Sequence, residues 1–410
     1  MSEMQRESPY PMVSVEEALQ IVMAHVSPLG VEEVDAFTAD GRLLAQPIAA
    51  PFAIPDLPKA AMDGYALRAA DGMQPRRVVG ELAAGSAPSL SLQPGEAVRI
   101  MTGSPMPLGA DTMLPVELTM EQDGYVTLQQ MPRTDDYLHT VGQDVTAGAA
   151  VLAVGTRLGI AEIGLLATFG ITRVAVYRRP RVAVLATGDE VYEPGVPRPV
   201  GAVYDSNRYA LLAAAREAGC ETVALGIARD TLEVQREAIL RGLDQADLLL
   251  TSGGVSMGTR DLMKPLLAEL GKVYFGRVAF KPGKPTTFAT VGGKLVFGLP
   301  GYPVSSLVSF EVFVRPALRA LQGDTDPWRP RARVSLTSPL KPSADRPEYQ
   351  RVIVHVQDGR LFATTTGGQG SSRLLSLLGA NALIFVPPGR QPYPAGTELE
   401  AMLTGPLRSV

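Results

Sequence analysis

Two lysines stand three apart in the stretch Phe280-Lys281-Pro282-Gly283-Lys284-Pro285, in a chain with only seven lysines among its 38 basic residues. Proline fixes φ, and glycine lets a backbone come close to a ligand. The stretch therefore reads as a rigid cationic cradle, suited to phosphate or another oxyanion. A solvated turn with incidental charge is the plain alternative. A second candidate is Ser252-Gly253-Gly254-Val255-Ser256, which offers free backbone N–H groups near a helix start, as anion sites do. A tight strand-to-helix turn would look the same. Glu190, in Thr187-Gly188-Asp189-Glu190, and Asp261 supply hard oxygen suited to Mg²⁺. Either could equally be a helix N-terminal charge. Asp230 follows a strand and precedes Thr231, and reads as a turn or cap residue.

What the chain lacks narrows the chemistry further. Cys220 is the only cysteine, which excludes an internal disulfide and a cysteine-built zinc site; its setting predicts buried packing. His25, His139 and His355 are far apart in sequence, which argues against a histidine metal site or a Ser-His-Asp triad. Net charge is −4 and no basic block stands out, which argues against nucleic acid. No apolar run approaches the ~18 residues of a membrane span, and no signal peptide is evident, so the expectation is an unanchored cytoplasmic protein. The two asparagines, Asn207 and Asn381, and the excess of arginine hint at a GC-rich genome or heat adaptation.

The positioning elements follow from periodicity. Ser14 with Glu17 predicts a capped helix over 14–26. From 47 to 144, frequent proline and glycine with short apolar runs predict a β-rich module. A strand at 149–154 and a helix at 160–169 follow, so the module has helical flanks and reads as an insertion. From 181 to 322, strands 182–186, 222–228, 247–251, 273–280 and 295–299 alternate with helices 206–218, 232–243, 262–270 and 304–321. That alternation predicts a parallel, doubly wound sheet, whose ligands bind beyond the carboxyl strand ends. Four unusual loops fall at that edge: 187–190, 252–258, 281–284 and 299–303. Residues 331–410 again read as strands, in a small barrel or sandwich.

Together these stretches resemble the MoeA family of molybdopterin molybdotransferases, shared with the C-terminal part of gephyrin. The matching pieces are Met62-Asp63-Gly64-Tyr65-Ala66, Met101-Thr102-Gly103-Ser104-Pro105, Gly142-Gln143-Asp144, Thr187-Gly188-Asp189-Glu190, Asp205-Ser206-Asn207, Ser252 through Gly258, Lys281 through Pro285, and Leu299-Pro300-Gly301. The resemblance implies a multidomain α/β and β chain. Its parts would be an elongated helical domain (1–46 plus 145–178), an inserted β-rich domain (47–144), a doubly wound, molybdopterin-binding-like α/β domain (179–326) and a C-terminal β-barrel (327–410). It implies a homodimer with the active site at the subunit interface, and adenylylated molybdopterin and molybdate as substrates, with Mg²⁺-dependent release of AMP.

The implied roles follow the motifs. Glu190 and Asp261 would be acidic metal-site residues, with Asp63 and Asp144 contributed by the partner subunit. Lys281, Lys284, Ser256 and Ser305 would hold molybdate or phosphate. Arg346 and Ser371 would reach in from the barrel, Thr102 would be polar support, and Ser252, Gly253, Gly254, Pro300 and Gly301 would line the oxyanion or substrate site. Four departures from the family pattern bear on ligand preference. Lys59-Ala60 replaces Asn-Ser, and Tyr302 replaces an asparagine. His139 and Gln143 replace arginine and glutamate, and Arg277 stands where a lysine occurs. A tungstate-preferring paralogue and a non-catalytic binding scaffold are the rival readings.

Overall fold

Ser14 starts the first helix, α1 (Val15–Met23), through a reciprocal cap. The Glu17 N–H donates to Ser14 Oγ at 3.1 Å and the Ser14 N–H to Glu17 Oε2 at 2.8 Å, which satisfies two N–H groups the helix itself cannot. The computed structural model describes residues 10–85, 87, 90–254 and 262–409. They fall into two compact units, Val34–Asp40 with Gln46–Val174 in one, and Met1–Glu33, Gly41–Ala45 and Ala175–Val410 in the other.

The smaller unit holds the β-rich module. Its sheet has the strands β1 (Gly64–Leu67), β2 (Arg76–Leu82), β3 (Glu96–Ile100), β4 (Thr112–Pro115), β5 (Thr119–Gln122) and β6 (Tyr125–Leu128), in the order β4-β1-β3-β2-β6-β5. β1 is buried along its whole length. Side chains alternate across a strand, so Ala66 joins one apolar cluster with Val98 and Ile100, and Tyr65 and Leu67 join a second with Ala97 and Leu114. The same unit carries helix α2 (Ile160–Thr168).

The larger unit is built on a six-stranded sheet: β7 (Arg181–Thr187), β8 (Glu221–Ala228), β9 (Leu248–Ser252), β10 (Lys272–Phe275), β11 (Thr287–Val291) and β12 (Lys294–Leu299), in the order β8-β7-β9-β12-β11-β10. Helices cover both faces. Val182, Val184, Leu248 and Leu250 pack with α3 (Asn207–Glu217), α6 (Pro303–Ser309) and α7 (Arg315–Leu321), and with Val15, Ala18 and Val22 of α1. Ala183, Leu185, Leu249 and Val296 pack with α4 (Leu232–Gln245) and α5 (Met263–Leu270). This is the doubly wound arrangement that strand-helix alternation predicts.

The sheet departs from the sequence reading at one side. β8, β7, β9 and β12 are parallel, but β11 and β10 run antiparallel to their neighbours. The expected strand 273–280 ends at Phe275, and Arg277–Val278 pair instead with Met12–Val13. Phe280 then turns its ring into the core, against Phe313 at 5.4 Å between centroids. Its apolar sequence reflects burial, which a strand and a buried loop share. The hairpin β11-β12 turns at Gly292-Gly293, a turn signal the sequence reading passed over.

Downstream, β13 (Arg331–Leu336), β14 (Glu348–Gln357), β15 (Arg360–Thr365), β16 (Ala382–Val386) and β17 (Glu398–Leu403) pair in the ring β15-β13-β17-β16-β14-β15. The closure makes a five-stranded barrel and leaves none of these five strands as an edge.

Asp247 ties the entry of β7 to that of β9. It accepts from Arg178 Nη1 at 2.9 Å, Arg178 Nη2 at 2.8 Å and the Arg181 N–H at 2.8 Å. Burial pushes its carboxyl up, and the hydrogen bonds from Arg178 and the Arg181 N–H together with the charges of Arg178 and Lys294 outweigh burial and hold it below its ordinary value of 3.8. A depressed carboxyl contributes stability above its unfolded value, and that contribution is lost as pH falls through the folded one. Asp247→Asn should therefore melt below wild type at pH 7, with the gap closing as pH drops below about 4, read as melting temperature against pH.

Candidate functional site

The register of the sheet lines up its loops. Ala186 pairs with Ser252, Ser252 with Leu299, and Thr187 with Ala228. The loops after β7, β8, β9 and β12 therefore leave the sheet side by side. β11 is antiparallel, and Thr287 at its start pairs with Gly298 near the end of β12. The lysine loop thus reaches the same edge from the opposite chain direction.

The loops are packed tightly on one another. Gly253 has φ +97°, and a Cβ there would lie 2.7 Å from the Thr187 carbonyl oxygen. Its N–H donates to the Leu299 carbonyl at 3.1 Å, so this N–H of the loop is not a free donor, while residues 255 and 256 lie outside the described residues. Thr187 Oγ1 donates to the Ser252 carbonyl at 3.3 Å. Asn207, at the start of α3, gives one amide nitrogen to two loops, 2.8 Å from Ser252 Oγ and 2.7 Å from the Gly301 carbonyl oxygen. Ser252 is buried, so its hydroxyl serves this clamp. Asn207 was among the motif residues but carried no assigned role. Its rarity in the chain was the available signal.

The lysine loop is equally constrained. Thr286 Oγ1 donates to the Gly283 carbonyl at 2.7 Å and meets Ser309 Oγ at 2.8 Å. Gly283 has φ +139°, and a Cβ there would fall 2.2 Å from the Phe280 ring. Lys284 is half-buried, and among the described residues no side chain pairs with its ammonium group. The Lys281 ammonium lies 3.2 Å from Glu348 Oε1 of the barrel. Arg346 lies beside Asp345, Nε to Oδ2 at 3.4 Å, and the Ser343 hydroxyl, then Arg346, hold the Asp345 carboxyl low.

The barrel also reaches α6. The Val304 N–H donates to the Ser371 carbonyl at 3.2 Å. Tyr302 is the N-cap of α6 and makes no side-chain cap, so a barrel carbonyl supplies the acceptor that an asparagine side chain there could have offered. Pro303 has no N–H, and Ser305 is buried one turn in. Pro300 is buried and Gly301 exposed.

The carboxylates sort into tied and free. The Asp189 N–H donates to Asp230 Oδ2 at 3.3 Å and the Asp230 N–H to Asp189 Oδ1 at 3.2 Å, joining the loops after β7 and β8. Thr231 is the α4 cap, so Asp230 is the turn residue expected, with a second task. Glu190 is exposed, and no described residue pairs with its carboxylate. Asp261 and Ser256 lie outside the described residues. Among the described residues, no three His, Cys, Asp or Glu side chains group as a metal cluster.

In the smaller unit, two separate motifs meet. Asp63 Oδ1 accepts from the Thr102 N–H at 2.7 Å and from Thr102 Oγ1 at 2.6 Å. The Thr102 hydroxyl, then its N–H, hold the Asp63 carboxyl below its ordinary range. Asp63-Gly64 is thus not the hairpin corner that its sequence also allowed. Asp144 is exposed, with its N–H on the Ile54 carbonyl at 3.0 Å. Cys220 is buried as expected, its thiol pushed up to about 12 by burial.

The sequence model of the MoeA N-terminal region (domain I and II) matches residues 13–170, that of the Probable molybdopterin binding domain residues 183–320, and that of the MoeA C-terminal region (domain IV) residues 333–404. The chain belongs to the MoeA family. It is 36% identical over 409 residues to a molybdopterin molybdenumtransferase from a Nostoc species, covering 95% of this chain and 94% of that one. It is 38% identical over 403 residues to molybdopterin molybdenumtransferase 2 of Mycobacterium tuberculosis, covering 95% and 99%. The molybdopterin biosynthesis MoeA protein of Pyrococcus horikoshii superposes with a TM-score of 0.84 at 31% identity, over 97% of this chain and 100% of that structure.

Two departures from the MoeA pattern are neighbours in space. Lys59 and His139 are cross-strand partners, and Lys59 Nζ lies 3.2 Å from Asp56 Oδ1. Gln143 Oε1 accepts from the Thr140 N–H at 3.1 Å and so shapes the loop that carries Asp144. Among the glycines of these loops, Gly253 offers a test that bears on backbone rather than on a side chain. Gly253→Ala should cost about 2 kcal/mol or more, from its φ and the Thr187 carbonyl, measured by denaturant unfolding.

Proposed function

We propose that this chain is a molybdopterin molybdotransferase, taking adenylylated molybdopterin and molybdate, releasing AMP and leaving molybdenum on the pterin dithiolene. The observation that carries the proposal is the convergence of Lys281 and Lys284 with the 187–190, 252–254 and 299–301 loops at one sheet edge. Opening a phosphoanhydride beside a dithiolene gathers negative charge from pyrophosphate, sulfur and the incoming oxyanion. Fixed cations and N–H donors stabilise such charge without a covalent nucleophile. That agrees with a chain whose one thiol is buried and pushed far above neutrality.

Each group has a task in this reading. Lys281 and Lys284 hold the oxyanion, Lys284 with its ammonium unshared by any described side chain. Ser305, Arg346 and Ser371 border the cradle. Ser252, Gly253 and Asn207 keep the loops in place rather than donate to substrate. Glu190 fits a hard cation, since its carboxylate is exposed and unshared among the described residues, and Mg²⁺ takes one or two carboxylates with waters and substrate phosphate oxygens. Bound there with Asp261, Mg²⁺ would neutralise phosphate charge as a Lewis acid. Asp63, Thr102 and Asp144 complete the site from the partner subunit of a homodimer. A cytoplasmic location suits such a biosynthetic step, and no described helix is long and apolar enough to cross a membrane.

The test is AMP release from adenylylated molybdopterin with Mg²⁺, with and without micromolar molybdate, beside a Lys281→Ala, Lys284→Ala double variant. Wild type should release AMP only with oxyanion, and the double variant should lose on the order of a hundredfold. Tungstate in a parallel arm reads the effect of the Lys59 and His139 departures. Absence of release under either oxyanion would leave a binding or scaffold role and overturn the reading.

A further inference from the structure

The two cradle lysines are held very differently. Residue 281 is bracketed by the chain that enters β14: its N–H donates to the Pro347 carbonyl at 2.9 Å, and its carbonyl accepts from the Tyr349 N–H at 2.8 Å. Between these lies Glu348, 2% exposed, whose Oε1 is 3.2 Å from Lys281 Nζ. That oxygen makes no well-directed hydrogen bond, so the contact is an ion pair. The other oxygen, Oε2, accepts from Gln350 Nε2 at 3.1 Å, and Gln350 Nε2 also donates to the Lys341 carbonyl at 2.8 Å. Lys281, Glu348 and Gln350 share the wall of a cavity of about 530 Å³ at the mouth of the barrel.

A buried carboxylate is costly unless it is paired and hydrogen-bonded. Among the described residues, Lys281 is the one cation within ion-pair distance of Glu348. The carboxylate is fixed from behind by Gln350 and from below by its own strand, so the mobile partner is the lysine. A free lysine has many rotamers to lose on being fixed, and an ammonium has three donors. An ion pair with Glu348 does not use up these donors, so they stay open to an oxyanion while the ammonium group is held in place before the ligand arrives. Lys284 has no such tether.

We propose that Glu348 is a positioning residue, which acts through Lys281 by holding its ammonium group in place for the oxyanion. The effect on turnover rests on the transferase reading above, whereas the hold on Lys281 does not. Preorganisation of this kind acts on turnover, since small misplacements of a charged group cost rate steeply.

The experiment compares wild type, Glu348→Gln, Lys281→Ala and the double variant in the AMP-release assay, with kcat and the molybdate KM measured separately. Glu348→Gln should lower kcat by roughly tenfold and move KM by less than about threefold. On the Lys281→Ala background it should have no further effect. An equal loss on both backgrounds, with melting temperature lowered alike, would make Glu348 structural and overturn the proposal. A second readout is independent of activity: acetic anhydride labelling of Lys281 relative to Lys272, quantified by peptide mass spectrometry. Labelling of Lys281 should rise roughly two- to fivefold in Glu348→Gln, the worth of a partly exposed ion pair. Unchanged labelling would overturn the proposal even if wild type released no AMP, and a rise would uphold the tether while the transferase reading failed. Should Glu348→Gln fold poorly, Gln350→Leu should show the same rise in labelling, and its absence would count against the tether equally.

Discussion

The constraint on which this sheet edge depends is the approach of Gly253 to the carbonyl of Thr187. A methyl group at that position would lie 2.7 Å from the oxygen, so the loops after β7 and β9 can touch only where a side chain is missing. Their contact is what lets Asn207 span the remaining gap, one amide nitrogen serving Ser252 Oγ and the Gly301 carbonyl. Three strand ends are thereby fixed relative to one another by main-chain packing and a single side chain. A site built on such an edge inherits the rigidity of the sheet, which placement of charge within fractions of an ångström requires.

The electrostatic plan is local. The chain is net negative, so a dianionic ligand gains nothing from the overall field and must be captured at short range. The cradle concentrates two of the seven lysines in one loop, and the barrel supplies the counter-charge that orders one of them. The barrel is thus more than a cap on the chain. Glu348 and the Ser371 carbonyl are its contributions to the α/β edge, one to a lysine and one to the first turn of α6.

The sequence was most legible where local chemistry and burial agree. The Ser14–Glu17 cap, the alternating strands and helices and the five barrel strands all carry their signal within a few residues. The stretch 273–280 misled because its apolar residues serve two short strands and one buried ring, and burial has no direction in a sequence. The tie between Asp63 and Thr102 was invisible for a different reason: 39 residues separate them, and no periodicity encodes such a contact. The two asparagines carry a structural signal beside the genomic or thermal hint of their scarcity, since each joins separate segments: Asn207 bridges Ser252 Oγ and the Gly301 carbonyl. Asn381 donates to the carbonyls of Val354 at 2.8 Å and Pro406 at 2.9 Å and accepts from the Val354 N–H. Where a residue type is rare, the positions that keep it are those whose geometry demands it.

The motif carboxylates differ in how far they are preorganised. Asp63 spends Oδ1 on both donors of Thr102, which favours its ionised form. Asp189 and Asp230 spend theirs on each other's N–H groups and so act on loop shape. Glu190 has no such partner among the described residues, which leaves its orientation unfixed. Lys281 and Asp63 are thus each held by a partner within their own unit, and Glu190 is left adaptable. In the transferase reading proposed above, that division would suit a reaction whose ligands change charge and size between entry and exit, with fixed groups to place anions and a free carboxylate to adapt to a bound cation.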